Sequence, residues 1–294
     1  MKAFAWIEPG DLAGAMAAGA QQGALFKAGG IDVGDRLKEH LDEPTALVNI
    51  RGLRELDFVR AENGMPALAD AATAAATPQI RNAATLGGNL AQRPRCWYFR
   101  KEEFRCKRKG GTECFAIDGQ NEMHAVFDND LCPIVHPSAT GTALTALGAS
   151  LALKGPEGER TVPIEEFFVR PETDVTRETV LRPGELIVEV RVPAGRKSGY
   201  VKLMEKQSFD WPLAEAAVTL GDDPRVVLGA AAPVPWRAKA AEALIRGKRV
   251  DEALAAQAAE AAVQGARPLQ HNGYKVPLLQ AAVRRALLAA GGLS

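Results

Sequence analysis

All four cysteines of the chain lie in one turn-rich stretch, at Cys96, Cys106, Cys114 and Cys132. They are separated by nine, seven and seventeen residues, so the C-x-x-C pair common in zinc fingers and ferredoxin-type clusters is missing. Four thiolates suit zinc or an iron–sulfur cluster, and the spacing alone does not decide between the two. The cysteines therefore indicate a metal site, without showing which metal it holds.

The residues around the first cysteines are strongly basic. Between positions 93 and 109, eight lysine and arginine side chains stand against Glu102 and Glu103, a local excess of six positive charges. Cations lower thiol pKa values and offset the negative charge of a thiolate-ligated cluster, so they favour an iron–sulfur cluster. A structural zinc, free or disulfide-bonded thiols, and a basic loop that grips nucleic acid through Trp97, Tyr98 and Phe99 are the alternatives.

Two histidines, His124 and His136, flank the last cysteine. We expect each to be a loop histidine bonded to backbone, and a role as ligand or cluster neighbour is the alternative. Ser138 has no convincing base near it and the chain has no G-x-S-x-G elbow, so hydrolysis finds no support.

Two glycine pairs follow patterns that suit phosphate binding. The first, Gly29-Gly30, comes after a predicted strand, where bare backbone N–H groups can approach a diphosphate. The second lies in Thr85-Leu86-Gly87-Gly88-Asn89, which adds a hydroxyl and an amide. Purely conformational turns are the alternative for each pair. The fingerprint G-x-G-x-x-G is absent, so a nicotinamide-type Rossmann site is not supported.

One further stretch, KLMEKQSFDWPL, mixes polar and aromatic residues. Its Lys202, Lys206 and Asp210 could line a cofactor face or cap a strand edge. Trp211 is expected in the core, because a large aromatic ring is more often buried than bound to a cofactor.

The composition is that of a self-folding chain: 294 residues, 47% apolar, with 36 basic and 36 acidic side chains. The balanced charge speaks against nucleic acid as a partner, and no apolar run is long enough for a membrane span. The N-terminus lacks an export signal, which predicts a cytoplasmic protein; export to the periplasm with a signal-bearing partner is the alternative. In a reducing compartment the cysteines favour metal or redox chemistry over disulfides.

The elements that must position these residues alternate between helix and strand. An α/β start is predicted up to residue 60, followed by a helix over 66–76, a loop over 80–90 and an aperiodic stretch over 92–135 that needs something to order it. The clearest strand is 185–192, which alternates with period two, and Pro193-Ala194-Gly195 forms a boundary. We therefore predict domains 1–192 and 196–294, the second with three strands and then three helices.

Four segments together resemble a known family: KAGGID, TPQIRNAATLGGNL, QRPRCWYFRKEEFRCKRKGGTEC continuing to HPS, and KLMEKQSFDWPL. They are similar to the flavin subunit of the xanthine dehydrogenase family of molybdenum hydroxylases. The branch with a cluster-bearing insertion, found in the FAD subunits of periplasmic aldehyde oxidoreductase and 4-hydroxybenzoyl-CoA reductase, matches best. The resemblance implies an α+β fold: a two-part, PCMH-type FAD-binding domain with the cysteine loop inserted at 92–135. A smaller C-terminal α+β domain like that of the CO dehydrogenase flavoprotein would follow.

By position, the resemblance implies which residues bind the cofactors. The cysteines at 96, 106, 114 and 132 would ligate a [4Fe-4S] cluster. FAD would be held by the two glycine turns and nearby side chains, namely Phe26, Lys27, Ala28, Gly29, Gly30, Ile31, Asp32, Thr77, Gln79, Thr85, Gly87, Gly88, Asn89, Lys202 and Asp210.

The resemblance also implies the role of the chain. Partner subunits would carry the molybdenum cofactor and [2Fe-2S] clusters, an aldehyde or aromatic substrate would be oxidised there, and electrons would leave through this flavin to an external acceptor. A zinc-stabilised assembly module without flavin and a stand-alone flavin reductase are the alternatives. Two departures bear on FAD: the connection 60–65 is shorter than in relatives, and Ala139 stands where the family motif HPSD has an aspartate.

Overall fold

A computed structural model describes residues 2–60, 64–206 and 209–293. The shortened connection 60–65 lies partly outside the described residues. The first part alternates strands and helices: β1 (Ala5–Ile7), α1 (Leu12–Gly19), β2 (Ala24–Lys27), α2 (Ile31–Lys38) and β3 (Ala46–Asn49). Its three strands form a parallel sheet in the order β1-β3-β2. This is the predicted α/β start.

The middle part is helical at first and then forms a second sheet. Its elements are α3 (Pro66–Ala74), α4 (Pro78–Ala83), α5 (Leu86–Leu90), α6 (Trp97–Arg100), α7 (Ala139–Leu147), β4 (Ser150–Gly155), β5 (Gly158–Pro163), α8 (Ile164–Phe167) and β6 (Leu186–Arg191). The strands pair antiparallel in the order β5-β4-β6.

The prediction of a loop over 80–90 is wrong, because α4 and α5 occupy most of it. Helices of six and five residues are too short to show an apolar period. Each is capped by a threonine hydroxyl: Thr77 accepts from the backbone N–H of Ile80, and Thr85 accepts from that of Gly88.

The third part is a four-stranded antiparallel sheet followed by helices: β7 (Ser198–Met204), β8 (Pro212–Thr219), β9 (Arg225–Gly229), β10 (Trp236–Arg237), α9 (Lys239–Ile245), α10 (Glu252–Ala262) and α11 (Lys275–Gly291). Alternate residues of β8 face opposite ways, as strand geometry requires. Ala216 and Val218 join the core beneath α10 and α11, whereas Ala217 joins a core shared with α3 and α7. Helices of the middle part thus pack directly on the sheet of the third part, and the small alanine side chains allow this close approach.

Candidate functional site

One large cavity, of about 1550 Å³, lies where the three parts of the fold meet. It is bounded by the turn between β2 and α2, by α3, α4 and α5, by β6, and by the connection from β7 to β8. Pockets for drug-sized molecules usually enclose about 300–1,000 Å³, so this cavity has room for a dinucleotide.

Thirteen of the fifteen predicted FAD residues line this single cavity: Phe26, Ala28, Gly29, Gly30, Ile31, Asp32, Thr77, Thr85, Gly87, Gly88, Asn89, Lys202 and Asp210. Lys27 and Gln79 lie outside the lining. The Lys27 ammonium instead donates to Asn49 Oδ1 at 3.2 Å and sits 5.4 Å from the centre of the Trp6 ring.

The two glycine turns are neighbours in space. A Cβ atom on Gly29 would lie 2.0 Å from the carbonyl oxygen of Ala83, so only glycine allows the first turn to reach the segment that leads into the second. Gly30 has φ +81° and precedes α2, whose first N–H groups have no partner inside the helix. This bare helix start at the cavity wall fits the diphosphate of FAD.

Asn89 is fixed by buried hydroxyls from the start of α7. Its Oδ1 accepts hydrogen bonds from Ser138 Oγ at 2.5 Å and Thr140 Oγ1 at 2.7 Å. Both hydroxyl residues are buried. With Oδ1 held in this way, the amide nitrogen is the end of Asn89 left for a ligand. Ser138 also caps α7, which accounts for it without any nucleophilic role.

Asp32 lines the cavity, but its carboxylate faces arginines of the cysteine segment. Oδ1 accepts from Arg100 Nη2 at 2.7 Å and lies 3.3 Å from Arg95 Nη2, while Oδ2 accepts from the backbone N–H of Arg93. Burial opposes ionisation of Asp32. The hydrogen bond and charge of Arg100, together with the backbone N–H of Arg93 and the charge of Arg36, outweigh burial and lower the pKa of Asp32. Because Arg100 ends the short helix α6 that follows Cys96, these contacts join the cavity to the cysteines.

Among the cavity residues that were not predicted to bind FAD, three are notable for their chemistry: Arg95, Trp211 and Glu215. Arg95 places a cation at the wall, 5.3 Å from the centre of the Trp211 ring. Trp211 is 47% exposed, so the prediction that it lies in the core is wrong. Glu215 is buried, and burial raises its pKa to about 6 although Tyr200 OH donates to it at 2.9 Å. An acid inside the apolar run Ala214–Val218 was the available signal for Glu215.

The four thiols are free and form no disulfide. Burial raises the pKa of Cys96 to about 12, and the charges of Cys132 and Cys114 add to the effect. Burial likewise raises the pKa of Cys114, helped by Cys132 and Cys106. Within the described ranges, no three His, Cys, Asp or Glu side chains form a recognisable site for a metal ion.

Two residues that closely follow cysteines in the chain, Trp97 after Cys96 and Arg108 after Cys106, carry unpaired buried donors. Trp97 Nε1 and Arg108 Nε are buried and have no hydrogen-bond partner in the described part of the chain. Burial opposes the charge of Arg108, yet the charges of Cys132 and Glu178 outweigh burial and raise the pKa of this arginine. Orphaned donors and a buried cation beside four thiols fit an anionic sulfur-rich group.

The two histidines differ. Nε2 of His124 lies 3.3 Å from Cys96 Sγ, which makes this residue a neighbour of the thiols. His136 Nδ1 accepts from the backbone N–H of Ser138 at 3.3 Å, as expected for a loop histidine. Burial lowers the pKa of His136 to about 3.

Two family profiles together cover most of the chain. The FAD binding domain in molybdopterin dehydrogenase matches residues 59–195, and the CO dehydrogenase flavoprotein C-terminal domain matches 200–290. The FAD-binding subunit of an aldehyde oxidoreductase of Escherichia coli is 34% identical over 273 residues, covering 83% of this chain and 86% of the relative. The medium chain of carbon monoxide dehydrogenase of Hydrogenophaga pseudoflava is 28% identical over 281 residues, covering 86% and 82%.

Solved structures share the fold of this chain. A chain of the carbon monoxide dehydrogenase of Hydrogenophaga pseudoflava superposes with a TM-score of 0.71 at 26% identity, covering 99% of this chain and 98% of that one. A chain of quinoline 2-oxidoreductase of Pseudomonas putida 86 shares the fold, with a TM-score of 0.72 over 100% and 99% of the two chains at 23% identity.

The fold and the cavity therefore define an FAD-binding subunit of an oxidoreductase. The chain belongs to the family of FAD-binding subunits of molybdenum hydroxylases. The predicted α+β fold and the resemblance to this family are confirmed. The structure describes no helix long and apolar enough to cross a membrane in the ranges given above.

Proposed function

We propose that this chain is the FAD and [4Fe-4S] subunit of a hetero-oligomeric molybdenum hydroxylase that oxidises an aldehyde or an aromatic compound. A partner subunit would hold the molybdenum cofactor and the substrate, and another would hold [2Fe-2S] clusters. Electrons would reach this chain from those partners and leave it for an external acceptor. A cytoplasmic location, or a periplasmic one by export with a partner, stays a prediction.

The main support for the proposal is the ion pair between Asp32 and Arg100, which connects the cavity to the cysteine segment. Asp32 follows the first glycine turn of the cavity, and Arg100 lies one helical turn after Cys96. The ion pair is nearly buried, with side-chain exposures of 13% for Asp32 and 7% for Arg100. Separating such a pair would leave a buried charge without its partner, which is costly. The cysteine segment is thereby held against the cavity wall.

The residues of this chain would act by binding and by electrostatics. When bound, FAD supplies the conversion between one-electron and two-electron transfer, and a cluster supplies one-electron transfer. The glycine turns and Asn89 would orient the dinucleotide. The four cysteines would ligate the cluster, and Arg108 with the orphaned Trp97 donor would offset its negative charge. No side chain is required as a general acid or base.

Cofactor analysis tests the proposal. The chain, purified without oxygen together with its co-purifying partners, should contain FAD and about four iron and four sulfide per chain. Cys106→Ser and Cys132→Ser should lose iron and sulfide and keep FAD. Thr112→Ala changes an exposed residue of the same loop and serves as the matched control.

The possible outcomes separate the functions. Finding zinc in place of iron and sulfide in the wild-type protein would overturn the cluster. If flavin were absent too, this result would favour an assembly module. FAD without any metal, with reductase activity unchanged in both cysteine variants, would favour a stand-alone flavin reductase.

A further inference from the structure

The C-terminal domain holds the cysteine segment by a row of hydrogen bonds around the start of α11. The backbone N–H of His271 donates to Asn121 Oδ1 at 2.9 Å, and Tyr274 OH donates to the carbonyl of Glu122 at 2.9 Å. A few residues away, the backbone N–H of Arg267 donates to the carbonyl of Val126 at 2.7 Å. These contacts run along residues 121–126, between Cys114 and Cys132.

Two fully buried side chains form the centre of this row. Asn272 Nδ2 donates to the carbonyls of His124 and Ala125, both at 3.1 Å, while its Oδ1 accepts from the backbone N–H of Leu269 at 2.7 Å. Lys275 Nζ donates to the carbonyls of Met123 and His124 at 3.2 and 3.1 Å. Both side chains are 0% exposed.

A buried ammonium is costly, so its position calls for an explanation. Burial lowers the pKa of Lys275 to about 7, and the carboxylate of Glu215 only partly opposes this. An apolar residue of similar length would fill the space without that cost. The ammonium offers what an apolar side chain lacks, namely donors for two carbonyls of one loop segment.

Lys275 and Asn272 hold the backbone of His124, and the ring of His124 lies beside the thiol of Cys96. The carbonyl of His124 is bonded by both Lys275 and Asn272, and its ring packs edge-on against Trp97 with centroids 5.4 Å apart. Its Nε2 lies 3.3 Å from Cys96 Sγ. Backbone and ring are therefore both restrained, and the contact with sulfur results from the two restraints together.

We infer that Lys275 and Asn272 are positioning residues that clamp segment 121–126 so that His124 donates a hydrogen bond from Nε2 to the sulfur of Cys96 in the cluster-loaded protein. This inference rests on the cluster of the proposed function. Hydrogen bonds to ligand sulfur stabilise the more negative, reduced form of an iron–sulfur cluster. His124 would therefore raise the reduction potential of the cluster. The clamp would maintain this effect by holding His124 in place.

Two measurements test the inference on the full chain with its co-purifying partners. Hydrogen exchange followed by mass spectrometry reports the clamp: Lys275→Met should speed exchange of peptides covering 121–126 by about tenfold or more, through loss of two buried hydrogen bonds. Lys239→Met, an exposed lysine of α9, is the matched control and should leave these peptides unchanged.

A redox titration followed by EPR reports the sulfur contact. His124→Leu should lower the midpoint potential of the cluster, and His124→Gln, whose amide can still donate, should stay closer to wild type. Lys275→Met should shift the potential in the same direction as His124→Leu, with FAD content unchanged.

Unchanged exchange in Lys275→Met would overturn the clamp, and equal potentials in wild type and His124→Leu would overturn the role of His124. A potential that moves equally in the leucine and glutamine variants would show a packing effect, which also overturns the hydrogen bond. A wild-type protein without iron and sulfide would overturn the proposed cluster, and with it the role of His124. The hydrogen-exchange measurement would still test the clamp.

Discussion

Gly29 and Ala83 pack so closely that a Cβ atom on residue 29 would lie 2.0 Å from the carbonyl oxygen of Ala83. This contact brings two glycine turns, which are more than fifty residues apart in the chain, to one wall of the cavity. Any side chain at position 29 must push the turns apart, because a backbone carbonyl cannot move aside as a flexible side chain can.

Gly29→Ala is therefore expected to weaken FAD binding by about tenfold or more, at a cost of about 1–3 kcal/mol. Isothermal titration of the deflavinated protein with FAD measures the change. Gly34→Ala lies in α2 with no atom within 4 Å of the new Cβ and should leave FAD binding intact. Equal affinities for the two variants would contradict the proposed role of the turn.

Ala139→Asp is expected to tighten FAD binding by about fivefold, close to 1 kcal/mol. Ala139 is buried at the first position of α7 and lines the cavity, where helix N–H groups favour a carboxylate. The rate of FAD release, followed by fluorescence, gives the comparison. Ala139→Asn has a similar size without the charge and should gain less. Faster release from the aspartate variant than from wild type would refute the expectation.

Glu178→Gln is expected to destabilise the fold by about 3 kcal/mol. The carboxylate accepts from Arg108 at 2.6 Å and from Arg93 at 2.9 and 3.0 Å, and the Arg108 side chain is 1% exposed. Removing one partner of a buried pair leaves an uncompensated charge, which is why the cost is large.

Urea unfolding provides the measurement for Glu178→Gln. Glu189→Gln breaks an exposed pair with Arg191 and should cost less than about 1 kcal/mol. A similar shift of both midpoints would mean that burial of Arg108 does not matter for stability.

Acid should destabilise the protein through His136. Burial lowers its pKa to about 3 in the folded chain, whereas an unfolded histidine titrates near 6.5. Unfolding therefore takes up a proton between these values, and the free energy of unfolding falls as the pH drops through this window. His124, with a pKa lowered by burial to about 4, acts with the same sign, and Glu215 acts with the opposite sign between about 4.5 and 6.

His136→Gln should flatten this dependence. Urea unfolding at a series of pH values from 4.5 to 7.5 gives the slope. His271→Gln, at an exposed position, is the control. A slope that stays the same in His136→Gln would show that the buried imidazole is not the group responsible.

The elements of the fold were largely readable from the sequence because their signals are local. Strand 185–192 alternates with period two, and β6 occupies Leu186–Arg191 within it. The helix predicted over 66–76 forms as α3, up to Ala74. The helices α4 and α5 were missed because caps and the packing of Leu90 hold them, and neither leaves a periodic pattern.

By itself the sequence determined which residue types are available: the four cysteines with their basic neighbours, and the two glycine turns that carry the resemblance to the family. Only the tertiary structure decided how they are used. It turned Asp32 toward Arg100, left Trp211 half exposed at the cavity, and set His124 against Cys96 under Lys275. The physical reason is separation along the chain: each of these contacts joins segments whose meeting depends on packing of the entire fold, which no local pattern encodes.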